Sequence, residues 1–238
     1  MKHAILGRSL RKMNIPMTLG LAAITAFGFT TSAVLASTTS NLSQVINAGT
    51  LVVDIVDASY VPVSSPAVSM SAKTFSFACQ KDAEASTGTF GTSTQQIYVK
   101  NPDAADSGWS VSLAASSPTA LWDSTIADYD FNDGTGAGCD DGADTSDTLG
   151  GQLTVNPSVG TLEVGTCLNC TTDDVSKGAS ASFAQGSVDS ITLINAAGAS
   201  SDRGDWKLSG VALSQTIPAE QAAANDYNIN MTLSVTAS

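Results

Sequence analysis

The chain has almost no histidine, and this shortage narrows the chemistry it can perform. His3 is its only histidine. Most hydrolytic sites use imidazole as a base or a metal ligand, so no Ser-His-Asp, Cys-His or His-ligated zinc site is expected. Carboxylate-pair chemistry stays formally open, but nothing in the sequence favours it. We therefore expect a protein that is not an enzyme, with no catalytic residue and no identified small-molecule substrate.

Positive charge is also scarce. The chain has 10 Lys and Arg against 22 Asp and Glu, which gives a formal net charge of −12. Nucleic acids and anionic membrane surfaces are bound through clustered Lys and Arg. No nucleic-acid partner is therefore expected.

Residues 1–36 have the layout of a secretory signal peptide. Four basic residues precede an apolar run from about Ile15 to Leu35, and "SAVLAS" supplies the small residues of a cleavage site after Ala36. An uncleaved anchor is the alternative, because the run is about twenty residues long. Cleavage removes four of the ten basic residues and no acidic one, leaving 6 against 22 and a formal charge of −16. The expected location is extracellular or at the cell surface.

Alternation of apolar and polar residues is the main signal in the rest of the chain. In "WSVSLAAS", Trp109, Val111 and Leu113 fall on one face, and "YNINMTLSV" (227–235) alternates in the same way, as half-buried strands do. Helical periodicity is missing except for one turn predicted at 218–225. Further strands are predicted at 50–56, 73–79, 95–100, 151–157, 160–165, 180–186, 189–196 and 206–214.

About nine to eleven strands without crossover helices predict an all-β fold, an antiparallel β-sandwich resembling a jelly roll. No internal repeat and no Pro-rich linker divides the chain. Residues 37–238 are therefore expected to form a single β-sandwich domain.

The stretch "DYDFNDGTGAGCDDGADTSD" (128–147) contains seven Asp and four Gly. Asp128, Asp130, Asn132 and Asp133 have the spacing of oxygen ligands in a calcium loop, although the glycine falls one place late for an EF-hand and Cys139 stands at its twelfth position. A solvated loop rich in turn-forming Asp is the alternative. The pattern predicts a structural Ca²⁺ site whose shell is completed by a second acidic cluster, Asp140, Asp141 and Asp144.

The four cysteines predict two disulfides, since an even number in an exported chain is typical of bridges. Three connectivities are open, and we favour Cys79–Cys139, which would anchor the acidic loop, with Cys167–Cys170 closing a hairpin tip. "CLNC" is also compatible with a redox or zinc site, but no βαβ pattern surrounds it and no second close pair exists.

Trp109 and Trp206 are predicted to pack in the core, and Trp122 joins them as a position to test for sugar binding. Exposed aromatic side chains that bind sugar are the alternative.

Several stretches resemble the WxL-type surface domains of bacteria. "NAGTLVVDI" follows the leader, and "IYVKNPDAADSGWSVSLAAS" resembles the strand, turn and Trp-containing strand of the family, with Val111 where Leu is usual. Trp206-Lys207-Leu208 is a true W-x-L, and the closing "IPAEQAAANDYNINMTLSVTAS" resembles the last strand without its usual Trp. The resemblance implies an exported all-β protein held non-covalently at the cell envelope. It also implies surface-attachment positions at Trp109, Val111, Trp206 and Leu208.

The chain also resembles subunits of strand-exchanged surface fibres, because it opens with an apolar strand (about 42–57) and closes with another. In such fibres a terminal strand of one subunit completes the sheet of the next. The strands carry few of the charged residues that block edge pairing. This resemblance implies a partner that is a second copy of the chain.

Together these patterns predict an exported, non-enzymatic cell-surface or structural protein with a calcium-stabilised loop, bound to the cell envelope. A self-assembling filament or surface-layer subunit is the first alternative. A secreted carbohydrate-binding module is the second.

Overall fold

The computed structural model describes residues 43–102, 107–142, 147–198 and 203–238. Within these ranges it confirms an all-β, antiparallel fold consistent with a β-sandwich, with 3₁₀ turns at Asp82–Glu84, Thr135–Ala137 and Pro157–Val159 as its only helical pieces. The described strands are β1 (Val52–Val56), β2 (Ser86–Phe90), β3 (Gln96–Asn101), β4 (Trp109–Ala115), β5 (Gln152–Asn156), β6 (Thr161–Val164), β7 (Val175–Lys177), β8 (Ala181–Ser182), β9 (Ser190–Ala196), β10 (Gly204–Ser209), β11 (Val211–Thr216) and β12 (Met231–Ala237).

The strands form three four-stranded sheets. The first has the order β1-β3-β10-β6, the second β2-β11-β5-β8, and the third β12-β4-β9-β7. Every strand pair is antiparallel. Strands β1 and β12 are therefore edge strands of two different sheets, and they contact each other.

A glycine joins the first sheet to the second. Strand β10 continues into β11 through Gly210, whose φ of 76° is in the left-handed region that favours glycine. The Gly210 amide donates to the carbonyl of Gly91, which lies between β2 and β3. The single strand predicted at 206–214 is thus two strands separated by a bend.

Apolar and polar side chains alternate along the strands, and the apolar ones point inward to form the core between the sheets. In β4, Trp109, Val111 and Leu113 are buried while Ser110 and Ser112 are only partly so, as predicted. Side chains from all three sheets share this core, among them Ile97, Val99 and Leu208 of the first, Val155 and Val211 of the second, and Ile191 and Leu193 of the third.

Some element predictions are wrong. The predicted strand at 73–79 has no strand partner, and β2 and β7 were not anticipated. The predicted helical turn at 218–225 forms an ordinary turn, and the last strand begins at Met231 rather than at residue 227. Propensity alone does not decide these cases, since a strand also needs a neighbour to pair with.

Residues Ile46–Ser238 form one compact unit. The single domain over residues 37–238 stays a prediction. The predicted signal peptide lies outside the described residues. Within the described ranges, no helix is long and apolar enough to cross a membrane.

Candidate functional site: an open strand edge

The acidic loop is organised by its own carboxylates. Asp128 Oδ1 accepts a 3.0 Å hydrogen bond from the Ser124 amide. Asp133 accepts from two amides, that of Thr135 at Oδ1 (2.8 Å) and that of Gly142 at Oδ2 (3.1 Å). Such bonds are typical of Asp in turns, and they shape the loop without any bound ion.

Two observations nevertheless fit a cation. Asp133 is 0 % exposed and forms no ion pair within the described residues. Asn132 is also 0 % exposed, and its side-chain oxygen Oδ1 has no hydrogen-bond partner. Buried carboxylates and amide oxygens are suitable ligands for Ca²⁺, and their burial is costly without a partner.

Of the other predicted ligands, Asp130 lies beside Asn132, whose amide donates to Asp130 Oδ1, but no larger acidic cluster is seen among the described residues. Asp130 is buried and its Oδ1 accepts from the Phe131 amide, whereas Asp140 and Asp141 are exposed. Asp144 lies outside the described residues. Across the described ranges, no three Asp, Glu, His or Cys side chains come together as a metal-binding group. Calcium binding remains a prediction.

Both favoured disulfides are present. Cys79–Cys139 links the acidic loop to residues 60 positions earlier, and Cys167–Cys170 closes a turn after β6. No cysteine in the described chain is free.

The tryptophans pack inside the protein. Trp109 and Trp206 are both 0 % exposed, with ring centroids 5.2 Å apart, and the Trp206 indole N–H donates to the Thr171 carbonyl. Trp122 is partly buried, stacks on Tyr129 and donates to Gln215.

The predicted attachment positions are therefore core residues. Val111 and Leu208 are as completely buried as Trp109 and Trp206. None of the four can touch an envelope component or a sugar unless the fold opens. The structure gives their attachment role no support, and it remains only a prediction.

Asp205 is an organising residue that nothing in the sequence indicates. It is 3 % exposed, and its carboxylate accepts hydrogen bonds from the Tyr98 hydroxyl (2.6 Å), the Thr166 amide (2.7 Å) and hydroxyl (2.9 Å), and the Cys167 amide (2.8 Å). Burial acts to raise the pKa of Asp205, but the bonds from Thr166, Tyr98 and Cys167 outweigh it and hold the pKa below its usual value. Burial and this hydrogen bond raise the pKa of Tyr98 far above its usual value. Oδ2 of Asp205 accepts three of these bonds and Oδ1 accepts the fourth, so the carboxylate holds the surrounding segments together.

The edge of β12 has the features of an interaction site. Strand β12 is an edge strand of the third sheet, pairing only with β4, and its seven residues "MTLSVTA" include no charge and no proline. Charged residues and proline are the usual protection of an exposed edge. This edge therefore lacks that protection along its whole length.

Two hydrogen bonds fix which backbone groups face outward. The Ser238 amide donates to Gly108, and the Asn230 carbonyl accepts from Ser116, so even-numbered residues direct their backbone groups toward β4. Backbone direction alternates along a strand. The amides and carbonyls of Met231, Leu233, Val235 and Ala237 therefore point away from β4, to the open edge.

The inward side chains of β12 and of the neighbouring edge strand β1 pack against the core but are only partly buried. Strands β1 and β12 contact each other, but they belong to different sheets, and within the described residues they form no hydrogen-bonded strand pair. The partly buried apolar side chains of β12, of β1 and of the residue before β1 are Leu51, Val53, Ile55, Met231, Leu233 and Val235.

Other described edges are shorter, charged or covered. Residue Ser71 covers part of β2 through bonds to Thr87, and Val63 donates to Ile55 at the end of β1. Strand β6 carries Glu163, β7 is three residues long and carries Lys177, and β8 has two residues. The sequence predicted weak edge protection in general, but the particular edge follows only from the sheet order.

Comparison with known proteins provides no relative: no family model matches the chain, and neither a curated protein nor a solved structure matches it.

Proposed function

We propose that this chain is an exported, non-enzymatic structural protein of the cell surface that assembles with copies of itself by strand addition at β12. The observation that carries the proposal is the uncharged edge of β12, whose inward apolar side chains are only partly buried. Strand addition of this kind is an established mode of protein association.

Two physical terms favour such an addition. An incoming strand supplies partners to the outward amides and carbonyls of β12, each net hydrogen bond contributing about 0.5–1.5 kcal/mol. Its apolar side chains also cover Met231, Leu233 and Val235, at about 25 cal/mol per Å² of apolar surface removed from water. Neither contribution requires the four buried positions that the WxL resemblance predicts for envelope attachment.

The high negative charge is compatible with this function. Without the predicted leader the copies have a formal charge of −16 and repel one another, and a net charge far from zero keeps proteins soluble. Association is therefore expected at a surface without acidic residues, and the outward side chains of β12 are Thr232, Ser234 and Thr236.

The proposal is tested by light scattering of the chain from residue 37 onward over a range of concentrations. Val235→Pro removes an amide that faces the open edge, whereas Val235→Ala shortens the same side chain and keeps the amide. We expect concentration-dependent assembly in the wild type and in Val235→Ala, and its loss in Val235→Pro. Proline at an edge position facing solvent is tolerated by the fold, which circular dichroism checks directly.

A wild type that stays monomeric at every concentration would overturn the proposal. Assembly that continues unchanged in a folded Val235→Pro variant would place the contact elsewhere on the surface.

A further inference from the structure

Two aromatic side chains stand exposed on a well-anchored segment. Phe75 is 47 % and Phe77 is 81 % exposed, and their rings meet edge to face with centroids 5.2 Å apart. Large aromatics usually lie inside a protein or in an interface. An exposed apolar group of this kind marks a contact surface.

The segment around Phe75 and Phe77 is hydrogen-bonded to the rest of the protein along one side only. The Glu220 amide donates to the Ser76 carbonyl, and the Gln80 side chain donates to the Thr74 carbonyl, both at 2.8 Å. The Cys79–Cys139 disulfide fixes its end. Within the described residues, the backbone groups of Phe75 and Phe77 form no hydrogen bond. They are available to an incoming strand.

The pattern of this segment suits pairing with the β12 edge. Residues two apart point to the same face of a strand, so Phe75 and Phe77 can both cover the partly buried side chains of β12 when their segment pairs with it. The exposed part of the chain before β1 offers Val45 and Ile46, which are 82 % and 86 % exposed. These two are adjacent in sequence, so only one of them can face those side chains.

The charges beside the aromatic pair balance one another. Lys73 and Lys81 flank the pair, and the exposed Asp82 and Glu84 follow Lys81. The segment therefore adds no net charge to a contact between two acidic copies.

From these observations we propose that residues 72–78 of one copy pair with the β12 edge of a second copy, with Phe75 and Phe77 packed beside its Met231, Leu233 and Val235. This inference rests on the proposed function and names the segment that supplies the added strand. The donor is then an internal segment rather than one of the terminal strands that the resemblance to surface fibres implies.

The first test compares three variants by light scattering. Phe75→Ser/Phe77→Ser removes both anchors, Ile126→Ser/Leu168→Ser removes two other exposed apolar side chains (64 % and 96 % exposed), and a third variant lacks residues 37–49. We expect the first variant to need roughly tenfold more protein or more to assemble, the loss typical of interface anchors. The other two should assemble like the wild type.

The second test identifies the contact directly. A photoreactive benzoylphenylalanine at position 77 is irradiated in the assembled protein, and the product is digested with trypsin. Because Lys207 is the last basic residue, the expected cross-linked partner is the C-terminal peptide 208–238, which contains β12, or the peptide that carries β1.

The outcomes separate this inference from the proposed function. Loss of assembly in Val235→Pro with no change in Phe75→Ser/Phe77→Ser would overturn the donor assignment and leave strand addition intact. Loss of assembly only on deletion of residues 37–49 would identify the N-terminal segment as the donor instead. Cross-links confined to other peptides would also overturn the inference, and a wild type that never assembles would overturn both proposals.

Discussion

The Tyr98 hydroxyl lies 2.6 Å from Oδ2 of Asp205, and this bond connects two neighbouring strands of the first sheet. The same carboxylate accepts from Thr166 and Cys167 in the turn after β6. Asp205 thereby fixes the position of the Cys167–Cys170 turn relative to β3 and β10.

Replacement of this carboxylate should destabilise the fold. In Asp205→Asn the amide cannot accept all four bonds, and hydrogen bonds to a charged group are each worth about 1.5–3 kcal/mol. We expect the free energy of unfolding to fall by about 2 kcal/mol at neutral pH, measured by urea denaturation. Asp54→Asn, at an exposed position of β1, is the control and should change it by less than about 0.5 kcal/mol.

The pH dependence of that loss has a definite sign. The folded pKa of Asp205 is lowered, so its contribution is present above the unfolded value of about 3.9 and is lost as the pH falls through the folded pKa. The wild type and Asp205→Asn should therefore converge in stability in strong acid. A difference that persists undiminished there would show that the carboxylate charge is not the cause.

Removal of the two disulfides should have unequal effects. In the chain-entropy description the cost grows with the loop that a bridge closes, giving about 4 kcal/mol for the 60-residue separation of Cys79–Cys139 and about 2 kcal/mol for the separation of 3 in Cys167–Cys170. Paired Cys→Ala substitutions, compared by thermal and urea unfolding, measure both. Equal costs would contradict the entropic explanation.

The effect of calcium on the melting temperature tests whether the acidic loop binds the ion. If Asn132 and Asp133 hold Ca²⁺ together with neighbouring oxygens, calcium at one hundred times its dissociation constant should stabilise the fold by about 2.7 kcal/mol. We expect a higher melting temperature in calcium than in chelator, and no such shift in Asp128→Asn/Asp133→Asn. Asp173→Asn/Asp174→Asn is the control, since this acidic pair lies in another turn. Identical melting of the wild type in calcium and in chelator would refute the metal assignment.

The alternation of apolar and polar residues predicts a strand correctly where one face of that strand packs against the core. Strand β4 shows this, because its alternation matches its burial. The alternation of apolar and polar residues gave a wrong prediction at residues 73–79, where "FSF" has the pattern of a strand but no strand in the described part of the chain pairs with it. It also missed β2, whose "STGTF" has a glycine at its centre and is placed by pairing with β11.

The candidate site was harder to predict than the strands. The sequence indicated unprotected edges and a role for the terminal strands, but whether a strand lies at an edge depends on sheet order, which long-range pairing decides. The tryptophans illustrate the same limit, because a short W-x-L pattern does not distinguish a surface contact from the buried pair Trp109 and Trp206.

The most direct measurement of strand addition is amide hydrogen exchange along β12, read by NMR or mass spectrometry before and after assembly. In the monomer, the amides of Leu233 and Val235 should exchange quickly, while those of Thr232 and Ser234, which face β4, are protected. On assembly, Leu233 and Val235 should become protected as well. If their exchange is unchanged in assembled protein, β12 is not the edge at which copies of this chain join.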